Sequence, residues 1–305
     1  MTESLAPIVL FVYNRPVHTN SVLNALAINP ESAYSNLYIY CDGPKTEATS
    51  EVLENIRQVR EIVCDENRFK SVKIFFSEIN KGLATSIITG VNAVIAVHKK
   101  VIVLEDDILV GSGFLKYMNG ALNLYEEKPD VGCIHAWNYS FKNLSDVTDT
   151  TFFLKGADCW GWATWENRWI HFEENGLKLL SEIKKRNLEL LFNRNGTHGF
   201  VEILQDQIDK KNDSWAIRWH ASLFLKEMYC LHPKIPIVKN IGLDSSGTHC
   251  KESYFNQYYE DDIELTPVEV VEAQWFFKKY KAEYLKHGYI KVFNGLFNKI
   301  VKKII

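Results

Sequence analysis

No run in this chain approaches the roughly 20 apolar residues that a membrane-spanning helix needs. Its opening, MTESLAPIVLFVYNRP, lacks the basic start and long apolar centre of a secretory signal. Both absences point to a protein made and kept in the cytoplasm. None of the six cysteines (Cys41, Cys64, Cys133, Cys159, Cys230, Cys250) belongs to a C-x-x-C pair. Neither a zinc site nor a disulfide framework is therefore expected, and the thiols read as reduced and buried. Internal repeats, low-complexity tracts and a Pro-, Gly- or Ser-rich linker that would mark a clean domain boundary are also missing. Net positive charge is confined to one end. From 275 to 305 eight lysines face the single Glu283, so that segment carries +7 and the preceding 274 residues −10 of the net −3. An acidic body argues against nucleic acid as the main partner, because phosphate binding needs a basic surface.

What is present suits a large folded core: 305 residues, 46% hydrophobic and 13% aromatic. Pro7 to Tyr13, Leu37 to Cys41, Val72 to Ser77 and Val101 to Leu104 are short, apolar and rich in β-branched or aromatic residues, as strands buried on both faces are. Helix-like stretches separate them at 17–28, 46–64 (with Thr46 as a capping residue) and 82–97. This alternation predicts a mostly parallel sheet flanked by helices, with ligands at the carboxyl ends of the strands. Each strand runs into polar turn residues: Asn14-Arg15-Pro16, Asp42-Gly43-Pro44, Asn80-Lys81-Gly82 and Glu105-Asp106-Asp107. Four such endings sharing one crevice point to a nucleotide-type site. Beyond 110 the pattern predicts helices at 112–127, 177–194, 200–211 and 215–229, and strands at Val131 to Ala136, Thr151 to Leu154 and Ile235 to Val238.

The triplet Glu105-Asp106-Asp107 follows the apolar VIVL. If the strand continues through it, Glu105 and Asp107 share one side and Asp106 takes the other. Paired carboxylates with room for water suit Mg²⁺ or Mn²⁺, hard cations that keep positions open for phosphate oxygens. Such a cation stabilises a diphosphate leaving group. Four of the eight tryptophans fall within CWGWATWENRW, and residues 162, 165 and 169 follow helical spacing, so most are read as core, with Trp160 and Gly161 nearest to sugar.

The order of strand plus Asn-Arg-Pro, then Asp-Gly-Pro, Asn-Lys-Gly-Leu-Ala and Glu-Asp-Asp resembles the nucleotide-sugar-binding half of a GT-A glycosyltransferase. CWGWATW and NIGLDSSGTHC resemble a group of bacterial sugar transferases, distantly similar to the inverting N-acetylglucosaminyltransferase I type. The resemblance covers most of residues 5–255. It implies a GT-A (Rossmann-like) domain over 1–274, with a nucleotide-sugar half at 1–110 and an acceptor half at 111–274. It further implies that Arg15 and Asp42 hold the uridine end of a UDP-sugar with Asn14 nearby, that Asn80 and Lys81 line phosphate or ribose, that Asp107 binds the metal, and that Asp106 and Glu105 meet ribose or sugar. His249 would complete the metal shell. Inverting transfer to a hydroxyl needs a carboxylate base in the second half. The family's acid lies in a Trp-Asp-Asp-Trp string, where this chain has Asp213-Ser214-Trp215, so Asp213 is the first candidate, ahead of Asp158 and then Asp206 or Asp209. An N-cap is the alternative role for Asp213.

The expected activity is metal-dependent, inverting transfer of GlcNAc or a related hexose from a UDP-sugar to a glycan or lipid-linked glycan in surface polysaccharide synthesis. Two rivals remain. A sugar nucleotidyltransferase would show a basic glycine-rich loop after the first strand, which YNRPVHTN is not. A non-catalytic carbohydrate-binding protein would need neither Asp42 nor the acidic triplet. Finally, as a helix 290–305 would gather Phe293, Leu296, Phe297, Ile300, Val301 and Ile304 on one face and lysines on the other. Such a basic amphipathic segment fits the anionic inner face of the plasma membrane, or packs on the acidic body.

Overall fold

The fold is taken from a computed structural model that describes residues 5–139, 141, 144–243 and 258–282. The tail beyond 282 and the stretch 244–257, with His249, lie outside the described residues, so the expectations placed on them are not met by any structural observation.

Four strands open the chain: β1 (Ile8–Val12), β2 (Asn36–Cys41), β3 (Ser71–Phe76) and β4 (Lys100–Glu105). They are connected through α1 (Pro16–Ile28), α2 (Ser50–Cys64) and α3 (Leu83–His98), and pair in parallel in the order β3-β2-β1-β4. Alternation of side chains explains why β1 and the interior of β4 are apolar at consecutive positions. Ile8, Leu10, Val12, Ile102 and Leu104 enter one core layer beneath α1 and α2. Val9, Phe11, Val101 and Val103 enter the other beneath α3. The α2 cap is Thr49, whose hydroxyl accepts from the Val52 amide at 3.3 Å, three residues later than the expected Thr46.

The second half completes the same sheet. After the short β5 (Ile108–Val110) come α4 (Phe114–Tyr125), β6 (Val131–His135), β7 (Thr151–Lys155) and β8 (Trp162–Trp165), then a short α5 (Glu166–Trp169). Next are α6 (Gly176–Lys185), α7 (Glu189–Phe192), α8 (Phe200–Ile208), α9 (Trp215–Leu225), β9 (Tyr229–Pro233) and β10 (Val238–Asn240). The eight-stranded order is β3-β2-β1-β4-β8-β6-β9-β7, with β10 and β5 forming a separate antiparallel pair. Because β8 pairs with β4, both halves share one continuous sheet.

Three local expectations are corrected. The segment 162–165 is a strand and not a helical stripe: Trp162 faces the α3 layer and Trp165 the α1 layer, both nearly sealed from solvent. The helix expected over 215–229 stops at Leu225, and Glu227 at φ 59° turns the chain into β9. The helix expected over 177–194 is two pieces, divided where Asn187 takes φ 54°. Among the described residues no helix is long and apolar enough to cross a membrane.

Candidate active site

The four polar strand endings lie side by side, as the parallel order requires. Asp42 donates its amide to the Val12 carbonyl at 3.0 Å, Ser77 donates to the Cys41 carbonyl at 2.9 Å, and Glu105 is in register with Phe11. Asp42 is fully engaged. One carboxylate oxygen accepts from the Gly43 and Lys81 amides at 2.9 and 2.8 Å, and the other accepts from Asn80 Nδ2 and the Gly82 amide, both at 3.0 Å. Four donors match the acceptor capacity of a carboxylate, so Asp42 fixes the 80–82 turn that starts α3. Asn80 is also tied to the Gly43 carbonyl at 3.0 Å, while Lys81 is exposed and Asn14 half-buried in the turn after β1.

The acidic triplet does not continue the strand. β4 ends at Glu105, Asp106 and Asp107 form a turn, and β5 leaves in another sheet. The two aspartates therefore share a side instead of opposing each other: Arg15 ion-pairs with Asp106 through Nη2 and reaches Asp107 through Nη1 at 3.1 Å. The Tyr13 amide adds a 3.3 Å bond to Asp106. Behind them β10 brings in Ile241, whose amide donates to the Asp107 carbonyl at 2.8 Å, and Gly242. A Cβ on Gly242 would stand 2.4 Å from Asp107 Oδ2 and 2.7 Å from Arg15 Nη1, so a side chain there would have to displace the Arg15–Asp107 pair.

One guanidinium does not neutralise three clustered acids, Asp106 and Asp107 buried and Glu105 partly so. Burial, with Asp107 and Asp106 adding repulsion, pushes the Glu105 carboxyl up to about 8 against the pull of Arg15. Burial also raises Asp106, to about 6, with Arg15 opposing. Two carboxylates turned toward one cation, in a site still short of positive charge, fit a hard divalent ion whose remaining positions are filled by water and phosphate. Among the described residues no three His, Cys, Asp or Glu side chains converge into a complete metal cage.

From the second half, β8 delivers the segment before it to the same edge, since Trp162 is in register with Val103. Asp158 is partly buried, accepts from the Cys159 amide at 2.9 Å and stands 4.0 Å from His135 Nε2. The Cys159 thiol is driven well above its ordinary range by burial, with Asp158, Glu105 and Asp107 all contributing, which places acids of both halves around it. Trp160 is half-buried and packs edge-on against Trp137 with centroids 4.8 Å apart, and Gly161 is buried at φ 70°. Asp213 is exposed and 3.4 Å from Arg218. The N-cap of α9 is Ser214, whose hydroxyl accepts from the Ile217 amide at 3.2 Å, so Asp213 is not the cap. Asp206 and Asp209 are surface acids paired with Lys211.

No family model matches the chain. No curated protein matches it either. Among solved structures, the mannosyltransferase PcManGT from Pyrobaculum calidifontis, in complex with GDP-Man and Mn²⁺, is 13% identical over 45% of this chain and 36% of that one, with TM-score 0.32. This chain thus spans about a third of that protein's length. A UDP-glucose pyrophosphorylase complexed with UDP-glucose is 13% identical over 75% of this chain and 90% of that one, TM-score 0.37. An active-site mutant, Q189E, of LgtC is 9% identical over 58% and 64%, TM-score 0.35. Likenesses this slight assign neither activity nor substrate.

Several site residues escape a reading of the sequence. His135 accepts from the Trp160 amide at 3.0 Å through Nε2 while its Nδ1 lies 2.9 Å from the Trp137 carbonyl, so it positions both tryptophans. His-Ala-Trp-Asn at the end of an apolar strand is the only signal that could have flagged it. Gly242 carried no signal beyond being a loop glycine.

Proposed function

We propose that this chain is a metal-assisted GT-A glycosyltransferase that moves a hexose, GlcNAc or a relative, from a UDP-sugar to a hydroxyl of a glycan or lipid-linked acceptor. The observation that carries the reading is the Asp106-Asp107 turn, facing Arg15 at the joined carboxyl ends of β1 and β4 and closed by Gly242. Ligands of open α/β sheets bind at such strand ends. Asp107, with Asp106, would hold Mn²⁺ or Mg²⁺. When bound, that ion supplies positive charge to the diphosphate leaving group.

The chain's own groups do the rest. Arg15, whose Nη1 and Nη2 are held by the two aspartates, would keep the turn in shape and put its charge beside the diphosphate. Asp42 keeps the 80–82 turn in the shape that lines the nucleotide. Trp160 and Trp137 offer flat apolar faces to the C–H side of a sugar. For inversion, a carboxylate takes the proton of the acceptor hydroxyl, whose oxygen attacks the anomeric carbon opposite the diphosphate as the bond to UDP breaks. Asp158 suits that role better than Asp213: it is partly buried among the site's acids, with no Lys or Arg ion pair among the described residues, whereas Asp213 is exposed beside Arg218. The lysine-rich 275–305 segment, in this reading, holds the enzyme on an anionic membrane on the cytoplasmic side.

A panel of nucleotide sugars, assayed for donor hydrolysis and for anomeric configuration by NMR, tests the proposal. UDP-sugar turnover with inversion, lost in Asp158→Asn and retained in Asp213→Asn, is expected. Turnover lost only in Asp213→Asn reverses the choice of base, and pyrophosphate-dependent UTP exchange would make the chain a nucleotidyltransferase instead.

A further inference from the structure

The loop that carries Asp158 and Trp160 is gripped on both flanks by buried histidines. It begins at Gly156, after β7, and ends at Gly161, before β8, with both glycines in the left-handed region at φ 93° and 70°. Its ends are tied to backbone: the Gly156 amide donates to the Met228 carbonyl at 3.0 Å, and the Gly161 carbonyl accepts from the Ala136 amide at 2.8 Å. Inside those ties, Ala157 and Trp160, which bracket Asp158 and Cys159, are each met by an imidazole.

His220, buried on α9, places Nδ1 2.7 Å from the Ala157 carbonyl and 3.1 Å from the Ala157 amide. With a proton, Nδ1 donates to the carbonyl; without one, it accepts from the amide. Ala157 is held in either tautomer. The ring is fixed among Phe192, Phe200 and Phe224, with centroids 5.3, 4.6 and 6.5 Å away. It lies so close to Gly156 that a Cβ there would stand 2.4 Å from Cε1 and 2.5 Å from Nδ1. Glycine at 156 thus serves both the backbone angle and the approach of the ring. On the other flank His135, buried at the end of β6, meets the Trp160 amide through Nε2 at 3.0 Å. An amide only donates, so Nε2 is bare and the ring proton sits on Nδ1, facing the Trp137 carbonyl at 2.9 Å. A second ring, His232, brings its Nδ1 to 3.1 Å from the same carbonyl. Burial keeps His135 and His220 neutral, lowering them to about 3 and about 4. A charged His135 would turn an N–H against the Trp160 amide and lose that tie. The 4.0 Å approach of Asp158 to the bare Nε2 is accordingly not an ion pair.

We propose that His220 and His135 are positioning residues, two neutral imidazoles that brace the 156–161 loop on either side of Asp158 so that its carboxylate meets the acceptor hydroxyl in one geometry. The bond from the Cys159 amide to Asp158 at 2.9 Å then sets the carboxylate on a loop already fixed at Ala157 and Trp160. That Asp158 is the base rests on the transfer reaction proposed above; the brace itself does not. The nucleotide end of the crevice is built from β1, β2 and β4, so loosening the loop should spare nucleotide binding.

Three readouts on the full chain test the brace. Long-range ¹H–¹⁵N NMR of the wild type should show the His135 proton on Nδ1. Amide exchange from Ala157 to Trp160 should accelerate about tenfold or more in His220→Phe and in His135→Phe, while amides of β1 and β4 keep their protection. In transfer kinetics the same variants should lose about tenfold to a hundredfold in kcat, with the donor KM and the affinity for UDP with Mn²⁺ unchanged. His220→Asn keeps a polar atom where Nδ1 stood and His135→Gln keeps an acceptor where Nε2 stood, so both should recover most of the protection and the rate, and they carry the test if a Phe variant does not fold. Merely structural histidines would lower the melting temperature and leave kcat per folded molecule alone. A His135 proton on Nε2, loop exchange that stays at the wild-type rate in a folded Phe variant, or a kcat that does so, overturns the proposal. If the wild type turns over no nucleotide sugar, the transfer reading falls by itself, and the brace still stands or falls with the tautomer and the exchange rates.

Discussion

Asp42 offers the sharpest separation between holding a loop and touching a ligand. Its carboxylate accepts four hydrogen bonds, three of them from the backbone amides of Gly43, Lys81 and Gly82. Asp42→Ala removes all four acceptors. A hydrogen bond to a charged group contributes about 1.5–3 kcal/mol when buried, and this cluster is half open to water, which re-satisfies part of the loss. A net destabilisation of about 2–4 kcal/mol is expected. Asp42→Asn keeps one oxygen but turns an NH₂ group toward two donors, and should cost about 1–2 kcal/mol. Urea unfolding gives both values, and amide exchange at Lys81 and Gly82 should accelerate in parallel. UDP affinity should fall only in proportion to the loss of order in the 80–82 turn. The reasoning is refuted if Asp42→Asn leaves stability and exchange within about 0.5 kcal/mol of wild type while abolishing nucleotide binding, since Asp42 would then be a ligand contact.

Three further outcomes are expected. Gly242→Ala places a methyl 2.4 Å from Asp107 Oδ2, an overpacking worth about 1–3 kcal/mol, so the melting temperature should drop and affinity for UDP with Mn²⁺ should fall about tenfold. For pH, Glu105 is raised from 4.5 to about 8, so the folded chain holds a proton that the unfolded chain has released, and stability falls as pH rises through that window. The buried His135 and His220, lowered to about 3 and about 4, act oppositely but only below their ordinary 6.5. Metal-free unfolding free energy should therefore decline between pH 6.5 and 8, by at most about 1.4 kcal/mol per unit, and Glu105→Gln should flatten the decline. Deleting residues 283–305 should abolish co-sedimentation with anionic liposomes; equal sedimentation of both forms ends the membrane reading.

The first 110 residues were legible because β1, β2 and β4 are buried on both faces and so announce themselves as apolar runs ended by turn chemistry, while the exposed edge strand β3 still carries β-branched and aromatic residues. All four endings do meet at one edge. The second half was harder for definite reasons. Trp162 to Trp165 is a four-residue strand whose tryptophans enter opposite layers, and three tryptophans at 162, 165 and 169 mimic a helical stripe across a strand–helix junction. β9 follows α9 after three residues, too short a break for periodicity to register. At the site, residue types were readable and pairings were not: nothing in the text shows that Arg15 spans Asp106 and Asp107 across more than 90 residues, or that Asp42 spends its oxygens on the 80–82 turn.

The central claim is that Asp107 and its neighbours form a cation-assisted nucleotide site. Calorimetric titration of UDP with and without Mn²⁺, on wild type and Asp107→Ala, tests it most directly. Binding should be at least tenfold tighter with Mn²⁺ in the wild type, and Asp107→Ala should remove that gain while leaving the fold intact by circular dichroism. UDP binding that is indifferent to the metal and unchanged in Asp107→Ala, or no UDP binding at all, would contradict the account.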